Sequence, residues 1–340
     1  MMLDERDMIG PVPSSICRGL PIVSERLFPF SSVIVNYFDG ALRDQFSPSH
    51  NYIAYVPTGV VRQHNKPSYF HYTKLDNFKN IINSGMFWAS ELGKMNDAEE
   101  ITYAKDRFII QLSNIMQSHG ISLEYQRRFI EVLEDFFQDK MKGLYCVSLS
   151  KRGNLLSQWV KYSQEKGVSF SLNSQLLDAI PNHYEGAKCV EVIYSIKEQH
   201  IILLDLAQRL MSSLRGTSSI QEIRRVLDNQ YAEEIRHIVC AIKNPSFAEE
   251  EELRIIIPGD KNQKNIKTRP GGKSTYLELN YMSIYKKTPS IDLLIEWAFC
   301  APTRDEMDSL NKIYKIMSHK KIKFCAIIGS GSSYIWPNTI

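Results

Sequence analysis

Four consecutive glutamates, Glu249 to Glu252, run directly into an apolar strand pattern, and few folds can accommodate that. The stretch reads Phe247-Ala-Glu-Glu-Glu-Glu-Leu-Arg-Ile-Ile-Ile257. Side chains on a strand alternate between faces, so Leu253, Ile255 and Ile257 share one face and bury. Glu250, Glu252 and Arg254 share the other, a carboxylate–carboxylate–guanidinium row. Glutamate is depleted in strands, and neighbouring like charges repel, so this is a costly way to start one. Two same-face carboxylates beside a fixed cation suit acid/base or cation-stabilising chemistry. A solvated edge strand whose charged rim blocks edge-to-edge pairing explains the same row without chemistry.

The rest of the chain alternates neither strictly nor repetitively. After a short strand at 68–73 comes a helix with Leu75, Phe78, Ile81 and Ile82 on one face and Gly85 as its C′ residue. Two longer helices follow, over 98–118 and 123–141, and Asp97 with Glu100 forms a capping box for the first. A strand over 143–150, a helix around Trp159 and Tyr162, and a strand over 167–172 complete this stretch. The pattern then predicts a strand at 188–196, helices at 201–214 and 220–242, and the acidic strand. Strands at 275–279 and 293–299, a helix at 304–318 and a strand at 323–328 close the chain. A doubly wound parallel sheet is disfavoured by this order. The expected class is α+β, with a split, mostly antiparallel sheet and helical insertions. Residues 1–66 read as an irregular N-terminal extension with short apolar pieces at 32–37 and 52–61, and 67–340 as the main domain.

The net charge of +3 is too small for a duplex nucleic-acid binder with a strongly basic face. No apolar run reaches bilayer length, and the acidic N-terminus lacks the layout of a secretory signal, so no membrane partner is expected. The six cysteines are dispersed, without a CxxC, and most sit in apolar runs where a free thiol behaves as a small hydrophobe. A reducing, cytoplasmic setting without a structural zinc site follows.

Two phosphate motifs fail on inspection. Gly271-Gly-Lys-Ser-Thr275 has Lys267 where a P-loop needs glycine, and it leads into a strand. Gly329-Ser-Gly331 has Tyr334 at the third glycine position of a dinucleotide fingerprint, with too little chain left for the helix. Tight turns explain both better. His71 and Thr73 share a strand face; a lone strand histidine is commonly a hydrogen-bonded core residue. Trp159 and Tyr162, three apart on a helix, form either a core pair or an aromatic wall for a planar ligand. Ser148 and Ser150 point the same way from their strand.

The order Tyr69-Phe-His-Tyr-Thr73, Met95-Asn-Asp97 with Glu99, Cys146-Val-Ser-Leu-Ser150, Gln158-Trp-Val-Lys-Tyr162, Gly167-Val-Ser-Phe170 and Glu250-Glu-Glu-Leu-Arg254 resembles a widespread bacterial family of unknown function. The resemblance covers about residues 67–335. The layout is similar, more remotely, to ADP-ribosyltransferases, in which residues from a split antiparallel sheet clamp NAD.

That likeness implies NAD as substrate, cleaved at nicotinamide, with ADP-ribose passed to a protein or nucleic-acid acceptor or to water. His71 would then hydrogen-bond the adenosine ribose, with Thr73 beside it, and Tyr145 or Ser148 would line the nicotinamide side. Glu252 or Glu250 would hold the nicotinamide ribose and stabilise an oxocarbenium-like transition state electrostatically. Arg254 would steady a carboxylate or contact the pyrophosphate, and Trp159 and Tyr162 would wall the ligand. A toxin or phage-defence effector, with an antitoxin or regulatory partner, fits such chemistry. Two competing readings are a nucleotide sensor that binds without turnover, and a metal-dependent nuclease built on Asp97, Glu99 and the late glutamates.

Overall fold

The computed structural model describes residues 67–94, 98–163, 166–217, 219–259, 263–272 and 274–330, with the backbone of three short strands before them. The chain runs β1 (Ile22–Val23), β2 (Ser32–Val35), β3 (Tyr52–Tyr55), β4 (Phe70–Lys74), α1 (Leu75–Ser84) and β5 (Phe87–Glu91). Helices α2 (Ala98–Ser118) and α3 (Leu123–Lys140) lead to β6 (Leu144–Ser150), the single turn α4 (Leu156–Gln158), β7 (Gly167–Leu172), α5 (Ser174–Ala179) and β8 (Lys188–Glu191). Then come α6 (Ile196–Ser213), α7 (Ile220–Val226), α8 (Ala232–Ala241), β9 (Glu252–Pro258), β10 (Ile266–Thr268) and β11 (Thr275–Leu279). Helix α9 (Tyr281–Lys287), β12 (Ile295–Cys300), α10 (Glu306–His319) and β13 (Phe324–Ile328) finish the fold. The class is α+β with mixed, mostly antiparallel pairing. Asp97 and its capping box, and Gly331 with Tyr334, fall outside the described residues.

Two compact units interleave along the chain. One takes Met1–Met86, Leu149–Ile180 and Asn280–Ile340; the other takes Phe87–Ser148 and Pro181–Leu279. In the first unit the strand order is β1-β2-β3-β13-β12-β7-β4, antiparallel except for the parallel β12–β13 pair. Helix α1 buries Phe78 and Ile82, four apart on one face, as the periodicity predicts. It ends where expected, at Gly85, which takes φ 69° and donates its N–H to Ile81 O.

In the second unit β10, β11, β5 and β6 form an antiparallel run, and β9 pairs with both β6 and β8. One buried cluster joins the helices to this sheet: Phe108 and Leu112 of α2, Phe129 and Phe136 of α3, Leu206 of α6 and Ile235 of α8 meet Cys146 of β6 and Ile256 of β9. Helix α3 starts because Ser122 Oγ accepts the Tyr125 N–H (3.3 Å), and it buries Phe129, Val132, Leu133, Phe136 and Phe137 at helical spacing.

Several sequence-based bounds shift for local reasons. Helix α6 starts five residues earlier than the apolar periodicity implies, because Ser195 caps it through the Glu198 N–H. The single helix expected over 220–242 is broken by a π turn at Leu227–Tyr231. The strand β5 went unrecognised, being only five residues long and half polar.

A Cβ at Gly85 would meet Met282 Cβ at 2.5 Å and would also force a left-handed backbone on an L-residue. Gly85→Ala is therefore expected to cost more than the left-handed penalty of about 1–2 kcal/mol, read as a lowered urea midpoint at unchanged m-value.

Candidate functional site

The four glutamates do not enter the strand together. Pro245–Glu250 forms a 3-10 segment, Glu251 is left-handed at φ 41°, and β9 begins only at Glu252. The expected single-face row is therefore corrected: Glu250 lies in the turn, and Glu251 sits at the bend between it and Glu252. This bend sorts the run by charge environment. Glu249 and Glu251 are exposed, whereas Glu250 and Glu252 are buried, at 6% and 5% exposure. The edge-strand reading also fails, since β9 has a partner on each side and both its faces are buried.

Two buried carboxylates need two buried cations. One is Arg254, whose Nε and Nη2 donate to Glu252 Oε1 and Oε2 at 2.9 and 3.1 Å in a bidentate pair. Its Nη1 donates to the Cys240 carbonyl at 2.8 Å, so guanidinium and helix end are tied together. The other cation is Lys243, just beyond α8 and 1% exposed. Its Nζ donates to Glu250 Oε2 at 2.7 Å and to Glu252 Oε2 at 3.1 Å. The Phe247 ring lies 5.1 Å from the same ammonium. Tyr194 Oη accepts the Glu252 backbone N–H at 3.2 Å. The result is a charge-balanced quartet at the start of β9, with Ser148 of β6 hydrogen-bonded to Glu252.

Burial raises the Glu252 pKa, but the charge and hydrogen bonds of Arg254, followed by Lys243 and Ser148, outweigh it and hold the carboxyl down at about 2. The neighbouring thiols go the other way. Burial pushes Cys146 and Cys240 up to about 12, which leaves both protonated and inert, in line with the hydrophobic role expected from their sequence context.

Of the residues expected at the site, Ser148, Glu250, Glu252 and Arg254 come together in the second unit. Tyr145 belongs to the same strand as Ser148 but to its other face, where its hydroxyl lies 3.2 Å from Thr275 Oγ1.

His71, Thr73, Trp159 and Tyr162 belong to the first unit. There the His71 ring meets the Phe170 edge at 5.8 Å, and Thr73 is buried. Trp159 packs at 4.8 Å against Tyr72, which points from the opposite face of β4. Its Nε1–H donates to Asn154 Oδ1 at 3.0 Å. Trp159 is 1% exposed and Tyr162 is 39% exposed. The expected shared aromatic face is absent because Trp159–Ser163 is a π turn, whose extra residue per turn swings residues three apart away from one another.

Lys243 and Tyr194 escaped the sequence reading. Lys243 follows the apolar run Ile238-Val-Cys-Ala-Ile242, and its one signal was a lone cation there, seven residues before Glu250. A groove of about 770 Å³ in the second unit, lined by Ile121, Tyr125, Met211, Leu214 and Arg215 among others, includes none of the expected site residues. Among the described residues no three His, Cys, Asp or Glu side chains gather as metal ligands, and no helix is long and apolar enough to cross a membrane.

Residues 158–255 match the model of a family described as Protein of unknown function (DUF2971). The matched stretch opens one residue before Trp159 and closes one residue after Arg254. It therefore contains Tyr194, Lys243, Glu250 and Glu252, and the match is to an uncharacterised family, as the resemblance of the motifs implies. No curated protein and no solved structure matches the chain.

Removing Lys243 leaves two buried carboxylates on one cation. Lys243→Met is expected to lower stability by about 3–5 kcal/mol, measured by urea unfolding. The double variant Lys243→Met/Glu250→Gln, neutral again, recovers part of that loss. Acid titration gives a second check. With a folded pKa near 2 against an unfolded value near 4.5, Glu252 stabilises the fold fully above pH 4.5. That contribution is lost as pH falls from there toward 2. The wild type should therefore lose stability across this window more steeply than Glu252→Gln, followed as thermal midpoint against pH.

Proposed function

We propose that this chain binds NAD and cleaves its nicotinamide glycosidic bond in the manner of ADP-ribosyltransferases, with Glu252 as the catalytic carboxylate. The observation that carries this reading is the state of Glu252: an ionised carboxylate at a strand start, fixed bidentately by Arg254 and held near pKa 2. Such a group is unsuited to proton transfer near neutral pH, because general acid/base work needs a pKa near the working pH. It is suited to stabilising positive charge that develops on the ribose as nicotinamide departs, because a preorganised anion does so without reorganising. Glu250, bonded to the Lys243 ammonium, then has a supporting role: it shares the cation that would otherwise neutralise Glu252 alone. The motif order supports the reading from sequence, as an analogy of layout.

The burial of the quartet limits how substrate can arrive. Phe247 and Glu250, both in the 3-10 segment Pro245–Glu250, contact Lys243. Glu252 is itself only 5% exposed, so NAD would reach it only with the packing around it opened. That same burial favours a second reading, in which a nucleotide is bound without turnover and the quartet only holds β9.

The deciding measurement is nicotinamide release from NAD by the purified full chain, with cell lysate as acceptor, beside Glu252→Gln. Circular dichroism confirms that the variant is folded. Release by the wild type and its loss in the folded variant are the expected result. Thermal stabilisation by NAD without release would favour the sensor. Neither release nor stabilisation would remove NAD from the account.

A further inference from the structure

In the second unit β5, β11 and β10 carry Trp88, Ser90, Tyr276 and Lys267 on one face, which Cys146 of β6 shares through its register with Ser90. Cross-strand partners share a face. Ser90 pairs with Tyr276, Tyr276 with Lys267, and Trp88 with Glu278. The neighbours on the other face, Phe87, Ala89, Leu277 and Leu279, are all buried. Trp88 is 48% exposed nonetheless. Its ring stacks on Tyr276, centroids 4.2 Å apart and planes 28° apart. The Arg269 guanidinium lies 6.0 Å from the Trp88 ring and 5.7 Å from the Tyr276 ring, and its Nη2 donates to Ser90 Oγ at 2.6 Å. Among the described residues this arginine meets a hydroxyl and two rings, and no carboxylate.

The chain around this face is basic. Of the described residues from Gln263 to Gly272, Lys264, Lys267 and Arg269 are cationic and none is acidic, while Glu278 stands opposite Trp88. Lys264 and Lys267 are exposed. Lysines on an edge strand such as β10 also serve to block edge pairing. That role explains Lys267, but it leaves unexplained an exposed tryptophan pre-stacked on tyrosine and an arginine held beside the rings. Aromatic platforms flanked by cations are how proteins take single-stranded nucleic acid, the base stacking on the ring and the phosphates meeting the cations. A duplex hides its base faces and offers Trp88 nothing to stack on.

We propose that the β5–β11–β10 face is a binding surface for single-stranded nucleic acid. Trp88 is the stacking residue, and Arg269 and Lys267 are the phosphate contacts. This goes beyond the NAD reading and does not depend on it, since binding is measured with no NAD present.

The test is fluorescence anisotropy of the full chain with fluorescein-labelled dT and rA oligonucleotides about 16 nucleotides long, and with a duplex of equal length. Measurements at two salt concentrations give the electrostatic contribution. The expected result is single-strand binding that weakens with salt and exceeds duplex binding. Trp88→Ala should weaken it about tenfold. The exposed charge reversal Lys267→Glu, which leaves the packing untouched, should weaken binding and flatten its salt dependence. Lys197→Gln, an exposed lysine on α6, should change nothing. Absence of binding to any single strand overturns the proposal. So does equal affinity for duplex with Trp88→Ala and Lys267→Glu both at wild-type strength.

Discussion

Glu250 and Glu252 are buried at the start of β9 together with two cations, Lys243 and Arg254. Everything near the start of β9 follows from that balance. Helix α8 must end where its Cys240 carbonyl can take Arg254 and where Lys243 can turn inward. The Pro245–Glu250 segment must fold back so that Glu250 reaches the same ammonium. Glu251 must adopt a left-handed backbone, uncommon for a residue with a side chain. With one member removed, the rest become a desolvated net charge. A hydrophobic replacement of all four could be as stable, so the quartet is not self-evidently there for stability.

That distinction bears on function. A carboxylate whose pKa is driven down by a bidentate arginine has given up its capacity to exchange protons near neutrality and kept its capacity to act as a fixed negative charge. Loss of nicotinamide from NAD, the proposed reaction, asks for such a charge. The basic, aromatic face on the β5–β11–β10 strands asks for a different ligand, one with flat bases and phosphates. Both lie within one unit of the chain, and each has its own assay.

Much of the local structure was legible in the sequence, and the reasons differ by element. Helix α1, its glycine stop and the paired long helices α2 and α3 followed from apolar spacing, which is strong over ten or more residues. The α+β class followed from the irregular order of strands and helices. What stayed hidden depended on partners distant in sequence or on rare backbone. The π turn at Trp159 separated two aromatics that regular spacing would unite. The bend at Glu251 placed Glu250 off the strand that alternation had assigned to it. Lys243 carried no motif, because a lone lysine after an apolar run looks like a helix end until its buried acids are located. Trp88 went unnoticed because β5 is short, and a tryptophan in a strand is ordinarily core.

The quartet also acts as a lock on strand alignment. Hydrogen bonds alone hold a strand almost equally well when it slides by one residue against its neighbours, but every side chain then changes face. For β9, whose residues beyond Arg254 are three successive isoleucines, an apolar pattern cannot tell one alignment from the next. A slip would carry Glu252 and Arg254 away from Lys243 and the Cys240 carbonyl, and would bring Leu253 to face them. Ionic pairing thus distinguishes the native alignment of β9 with β6 and β8 where an isoleucine run cannot.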